Sequence, residues 1–431
     1  MTTDTIATDR RPFGFWTATA MVVGGMIGAG IFVLPAQLAP YGATGAAGWV
    51  AAIAGAVVTA WVFSRLFAAR PDATGAMDVV AGGVGPLPAM LVAWSYWVSL
   101  WCANAVLALT ASRYLAEFWP WLGSSTLVSA LAALAMLWAL TCYNLLGARD
   151  VGRLQVVTVV LKLLPLVAVV VILAGLAITD PGRFAAHAHT PFDSVRITPA
   201  LGLAFFALVG FECAGVCAER VRDPGRIIPL ATMAGVVITG ALYLLVSTGI
   251  VYAMPQQALA DSGAPIALFV GEFWGSAAGL ITAAFAMISA LGCLNGYVLL
   301  VGEVPLGMAR VGLLPRWMGR TSPRDVPVAM ILVGSVLASI LVLSNAFRTL
   351  QGLMTFMLNI TAAATIWLYI GACASAWMQR VARPWAVVGF AFAVWVLIGT
   401  GWEAVGWSVV LMLTAVPLYW LRGRAAASSS V

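Results

Sequence analysis

Apolar runs of helix-spanning length recur from one end of the chain to the other, separated by short polar stretches that carry most of its arginines. A helix rising 1.5 Å per residue needs about 20 apolar residues to cross a hydrocarbon core of about 30 Å. The pattern predicts twelve spans, over 14–39, 43–66, 86–116, 124–146, 152–178, 197–219, 229–253, 266–308, 327–346, 349–378, 385–401 and 403–421. The window 266–308 is too long for one simple crossing and reads as an outside lead-in followed by a tilted helix. The period-two alternation of a membrane barrel is absent. The expectation is an all-α polytopic membrane protein. No cleavable leader is expected, because residues 1–13 are short and polar, without a small-residue cleavage site.

Composition agrees. The chain is 62% apolar and 9% charged, against roughly 25% charged in a soluble protein, so almost no soluble mass is left. Of the 22 lysines and arginines all but Lys162 are arginine, and the predicted topology places only Arg113, Arg183, Arg196 and Arg348 on the side opposite the N-terminus. That asymmetry orients both termini, residues 1–13 and the tail 422–431, to the cytoplasm. The net charge of +6 is therefore a topology signal, and no basic domain exists for a nucleic-acid partner. All six cysteines fall inside apolar runs, so no external disulfide is expected. Cys213 and Cys217 share a helix face that could suit a metal, but no further ligand lies nearby in sequence, which favours packing. His187 and His189, in the external loop 180–196, suit either a surface metal site or a solvated loop.

Two runs are interrupted. "VVGGMIGAGIFVLP" (22–35) places Gly24, Gly25, Gly28 and Gly30 inside the first span, and "AFFALVGFECAG" (204–215) places Gly210 and Gly215 around Glu212 in the sixth. Glycine in a helix interior costs about 1 kcal/mol relative to alanine. Gly24 and Gly28 also form a small-xxx-small pair, so close helix packing would account for the first cluster alone. Breaks at corresponding positions of two halves instead point to a transporter site at mid-membrane. Five spans is an odd number, so the second half enters from the opposite face. Residues 14–178 and 197–378 then form inverted repeats, with 385–421 appended. Non-helical backbone at that depth is tolerated only where it is buried in protein or lines a polar cavity. An opened first helix presents free N–H groups and the positive end of a half-helix dipole, a seat for a carboxylate.

Polar residues inside the spans extend the candidate site. Lys162, the single lysine, lies deep in the fifth span, where an ionisable side chain costs about 2.5–3.5 kcal/mol on insertion scales and is usually functional. Unlike arginine, lysine can release its proton, so proton coupling and a structural bond to broken-helix carbonyls both suit it. Glu212 suits a proton carrier, a partner for a cationic ligand, or a carboxylate held by freed backbone groups. Glu303, near the inner end of its span, reads as loop-facing. In "SYWVSLWCANAVLAL" (95–109), helical spacing puts Tyr96, Ser99 and Cys102 or Ala103 on one face. Asn104 is either helix–helix glue or a ligand contact. Phe206, Tyr297 and Tyr369 alone would read as packing.

With these residues in view, the chain resembles the amino acid–polyamine–organocation transporters over about residues 14–421. The pieces that carry this are "GGMIGAGIFVLPAQLA" (24–39), "LTASRYL" (109–115), "FFALVGFECAG" leading to "RDPGRIIPLA" (222–231), and "LNGYVLLVGEVPLGMARVGLLP" (294–315). Within that superfamily it is most similar to the bacterial basic amino acid/polyamine exchangers. The resemblance implies a five-plus-five inverted-repeat fold with broken helices 1 and 6, alternating access in a bacterial inner membrane, and often a homodimer. It implies carboxylate binding around Ile27, Gly28, Ala29 and Gly30, and α-amino binding by carbonyls near Phe206, Ala207 and Val209. Phe206 and Tyr297 fall where the exchangers have gating tryptophans. Tyr96 and Glu212 match outer-gate residues, Asn104 matches a ligand-contacting asparagine, and Thr361 and Tyr369 match tenth-span site residues. Ser99 stands where a smaller alanine is usual. Lys162 departs from the exchangers and is similar to a lysine of sodium-independent permeases, which stands where sodium-coupled relatives hold the ion.

The expected function is sodium-independent secondary transport of amino acids or related amines, by exchange or by coupling to protons through Lys162 and Glu212. Glu212 favours cationic substrates and Lys162 a neutral amino acid permease. No cofactor is expected. An enzyme would need a polar constellation that no span offers, and a channel would need repeated pore-lining polar residues or a symmetric filter.

Overall fold

The first span does not run through its glycines as one rod. In a computed structural model, which describes residues 14–70, 76–146, 151–187, 189–211, 221, 223–344 and 346–427, it forms α1 (Phe15–Met26) and α2 (Ala29–Leu38). The two are bent by 50° at the break. There follow α3 (Ala43–Ala69), α4 (Ala76–Val84), α5 (Pro86–Leu115), α6 (Thr126–Leu145), α7 (Val151–Thr179) and α8 (Ile197–Leu208). The second half of the chain forms α9 (Pro224–Ala253), α10 (Gln256–Asp261), α11 (Pro265–Trp274), α12 (Ser276–Arg310), α13 (Val328–Ser344), α14 (Leu350–Met378), α15 (Arg383–Gly399), α16 (Trp402–Leu413) and α17 (Ala415–Ala427).

Local signals fix several ends. Ser125 accepts the Val128 N–H at the start of α6, and Thr349 accepts that of Gly352 at the start of α14, each satisfying an orphan donor of a first helical turn. Proline opens α5, α9 and α11, where its missing N–H costs nothing. The long window 266–308 divides at Gly275, whose φ of +90° turns the lead-in α11 into α12.

Among the described residues eight helices are long and apolar enough to cross a membrane, or nine with the bent pair counted as one span. Shorter apolar helices cover Ser194–Leu208, Pro265–Trp274, Val328–Ser344 and Arg383–Gly399. The chain is thus an all-helical polytopic membrane protein. α5 and α14 pack together at the centre and are buried along most of their length, whereas α6, α7 and α17 present large apolar side chains outward. α4 lies where the sequence suggested only a connection, and packs on α14 through hydrogen bonds from Ser375 and Gln379 to Val79 O.

Candidate substrate site

At the break in the first span the backbone groups divide by sign. Ile27 N–H still bonds Val23 O at 3.0 Å, and Gly28 N–H turns back to Met26 O at 2.9 Å. Carbonyls at the end of α1 also accept from other helices. Lys162 Nζ donates to Gly24 O at 3.4 Å, Tyr243 OH to Met26 O at 2.9 Å, and Cys293 Sγ to Ile27 O at 3.5 Å. Buried carbonyls in a membrane interior must find such donors. α2 then starts at Ala29, and its first N–H groups have no intrahelical acceptor. They form the positive end of a helix dipole.

α8 supplies the opposite sign. It ends at Leu208, Val209 is extended at φ −62° and ψ 141°, and Gly210 takes φ +115°. Positive φ suits glycine, which has no Cβ to clash, and a Cβ at Gly210 would also stand 2.9 Å from Gly25 O. The last carbonyls of α8 are left without intrahelical donors, apart from Phe206 O, which accepts Val209 N–H at 3.3 Å. Gly30 brings α2 against this end: a Cβ there would meet Ala207 Cβ at 2.7 Å and Ala207 Cα at 2.8 Å.

A cavity of about 40 Å³ lies between the two helix ends and is lined by Gly28, Ala29, Gly30, Phe206, Ala207 and Val209. Its remaining wall is Tyr96, Ser99, Leu100, Ala103 and Leu107 of α5, Tyr297 of α12, and Thr361 and Thr365 of α14. Gly25 and Met26 complete it. The Ser99 hydroxyl donates to Tyr96 O, Thr361 to Met357 O and Thr365 to Thr361 O. With their protons engaged, these three hydroxyls offer lone pairs, which accept from an N–H donor. Among the described residues no carboxylate and no cation lines the cavity. It has room for a few waters.

The structure therefore brings together Gly28, Ala29, Gly30, Tyr96, Ser99, Phe206, Ala207, Val209, Tyr297 and Thr361. Other predicted residues stand back. Ile27 is buried behind the lining, reaching Cys293 through its carbonyl. Asn104 is fully buried, does not line the cavity, and has no hydrogen-bond partner for its amide among the described residues. Tyr369 stacks on Phe211 with centroids 4.9 Å apart and meets Phe63 and Phe205 edge-on. Lys162 does not line the cavity and is bonded to Gly24 O. Glu212, with Cys213, Cys217 and Gly215, lies outside the described residues. His189 packs edge-on against Tyr252 at 5.0 Å, and no group of three or more metal-ligating side chains occurs among the described residues.

The sequence profile of the amino acid permease family matches residues 13–426, nearly the whole chain. The chain belongs to the amino acid permease family. The cadaverine/lysine antiporter of Escherichia coli is 31% identical over 328 residues, 76% of this chain and 73% of the relative. The putrescine transporter PotE of E. coli is 26% identical over 422 residues, 94% of each chain. The arginine/ornithine antiporter ArcD1 of Lactococcus lactis is 25% identical over 457 residues, covering 96% of this chain and 84% of the relative.

Above the cavity, toward the α2 C-terminus, the permease carries a polar latch absent from the sequence reading. Gln37 of α2 donates to the Gln351 side chain, and its own amide oxygen contacts the Thr355 hydroxyl. Gln351 Nε2 donates in turn to Ala260 O at 2.6 Å and to Ser262 O at 3.3 Å. Helices α2 and α14 are thereby tied to the α10–α11 connection. Gln351→Ala removes the hub and raises hydrogen exchange across 256–264 by about tenfold or more, given about 0.5–1.5 kcal/mol net per lost bond. Unchanged exchange by mass spectrometry would show that the latch carries no such constraint.

Proposed function

We propose that this permease is a carrier that exchanges cationic amino acids and related amines by alternating access. In this reading the bent pair, the eight long helices and the shorter α8, α13 and α15 make twelve spans. The first five and the next five are inverted repeats. The observation that carries the reading is the meeting of the α2 N-terminus with the α8 C-terminus at Gly30 and Ala207. An α-amino acid carries its two opposite charges side by side, and these two helix ends present opposite poles side by side. The carboxylate is seated on the free amides of Ala29 and Gly30, and the α-ammonium on the α8 carbonyls. A distal ammonium donates its N–H groups to the lone pairs of Ser99, Thr361 and Thr365, with Tyr96, Phe206 and Tyr297 as the movable cover.

The printed functions of the relatives support amine cargo: cadaverine and lysine, putrescine, and arginine and ornithine. A second reading, a neutral amino acid permease, is favoured by the buried cation Lys162 beside α1 and by a cavity lining without a described carboxylate.

A ligand-stabilisation screen on purified protein decides between them. A ligand at 100 times its Kd stabilises the folded state by about 2.7 kcal/mol, so lysine, ornithine, arginine, cadaverine or putrescine raises the melting temperature while neutral amino acids do not. The opposite ranking supports the neutral permease. In proteoliposomes, unlabelled internal substrate accelerates entry of the labelled one, as a carrier requires and a channel does not.

A further inference from the structure

A cavity larger than the one between the broken helices lies apart from it. A groove of about 250 Å³ lies on the outer side of α5, between α13 and the junction of α16 with α17. Its wall is made of indoles, Trp94, Trp97 and Trp101 from α5 and Trp317 from the turn Arg316–Gly319, with Val333 and Thr414 at its edges. Two of the indole N–H groups are engaged, Trp94 Nε1 with the Thr414 hydroxyl at the rim and Trp97 Nε1 with Val301 O, each at 2.8 Å, while Trp101 Nε1 is buried without a partner among the described residues. What remains toward the groove is ring face and aliphatic surface. Apolar cavities of on the order of 150 Å³ stay dry and take apolar ligands, and this one opens to the lipid-facing surface, with Val333 40% and Trp317 49% exposed.

Charge at the mouth selects what enters. The turn that supplies Trp317 also carries Arg316 and Arg320, both exposed and without an ion-pair or hydrogen-bond partner among the described residues. Their neighbours in the same connection are engaged: Arg310 pairs with Asp325 at 3.9 Å, and Arg324 bonds Leu146 O at 3.1 Å. An apolar slot beside a turn with two unengaged guanidinium side chains is complementary to an amphiphile with an anionic head and a hydrocarbon tail. Basic pockets beside membrane helices recognise anionic headgroups in this way, and guanidinium pairs readily with phosphate.

We propose that the groove holds an acyl chain of an anionic phospholipid from the leaflet at the arginine-rich end of the bundle, with its phosphate on Arg316 and Arg320. The site lies on the far side of α5 from Tyr96 and Ser99. Lipid occupancy there fixes the packing of α5, which carries one wall of the cavity between the broken helices, against α13 and α16.

Native mass spectrometry of the full-length protein, titrated with phosphatidylglycerol or with phosphatidylcholine of the same chains, tests this. Phosphatidylglycerol is retained preferentially by the wild type. The double variant Arg316→Gln/Arg320→Gln binds it about thirtyfold more weakly, at about 1 kcal/mol per basic residue near a membrane surface. Val333→Trp, which fills the groove, lowers retention of both lipids. Equal binding of the two lipids, or phosphatidylglycerol binding unaltered by the double variant, overturns the proposal, as does a dimer whose formation leaves lipid retention unchanged while burying the groove. Should Val333→Trp fail to fold, brominated phosphatidylglycerol must quench the tryptophan emission of the wild type more than brominated phosphatidylcholine does, and more than it quenches Trp317→Phe. Equal quenching overturns the assignment as well. All of these readouts are lipid binding, so they stand apart from the identity of the transported amine.

Discussion

Gly30→Ala lowers substrate uptake in proteoliposomes by about tenfold or more, while Gly28→Ala, whose added Cβ meets no protein atom, costs the fold only about 0.5 kcal/mol or less. The two glycines are two residues apart and alike in sequence, yet their surroundings differ. At Gly28 an added Cβ meets nothing within 4 Å, and the backbone φ of −120° is ordinary for an L residue. At Gly30 it would stand 2.7 Å from Ala207 Cβ and 2.8 Å from Ala207 Cα, where carbon atoms prefer about 3.5–4.0 Å. Ala207 cannot swing aside, because the obstacle is its backbone and the first atom of its side chain. α2 must therefore move away from α8, and the amides and carbonyls proposed to hold the two ends of one substrate separate together. Overpacking of this kind costs about 1–3 kcal/mol, which is about tenfold to hundredfold in affinity. Gly30→Val adds a further clash and removes uptake altogether. Circular dichroism and size-exclusion profiles establish that the variants fold, and normal uptake by folded Gly30→Val would remove the site assignment.

The contrast between these glycines also marks what the sequence can carry. Their clustering in an apolar run announces a break, since nothing else justifies so much helix-destabilising residue in one span, and α1 and α2 part at that place. Which glycine is indispensable depends on the approach of α8, a partner more than 170 residues away, and no local pattern encodes it. Helical spacing left Cys102 and Ala103 as alternatives for the face of Tyr96 and Ser99; packing against α12 and α14 selects Ala103 and turns Asn104 away from the cavity lining. Thr365 was within reach of the same reasoning, one turn beyond Thr361. The latch was not: Gln37 and Gln351 are ordinary polar residues near span ends, joined only by tertiary folding. α4 was missed because nine residues with Gly82 and Gly83 are too short to cross a bilayer and too short to hold a helix alone, and its stability comes from docking on α14. The break in the sixth span is legible at Gly210, whereas the segment that would continue it, with Glu212, lies outside the described residues.

Lys162 gives the other large expected effect. Its side chain is 1% exposed, and Nζ donates to Gly24 O at 3.4 Å. That carbonyl sits in the last turn of α1, where the helix dipole is negative and a cation is favoured. The sequence leaves Lys162 as either a proton coupler or a structural brace: as a coupler, its ammonium would tie α7 to α1 in one orientation of the carrier, and release of the proton would free α1 to move in the other. Lys162→Met then abolishes uptake driven by a pH gradient. Exchange of internal for external substrate survives in part, because it requires no net proton movement. The variant also loses the hydrogen bond to Gly24 O, about 1.5–3 kcal/mol for a charged donor, and melts at lower temperature. Lys162→Arg separates the proton role from the structural one. Arginine retains the charge and reaches the same carbonyl, but stays protonated, so it restores thermal stability without restoring gradient-driven uptake. If Lys162→Arg transports as well as wild type at every pH, the side chain is a fixed cation bracing α1, and the proton must travel by another group.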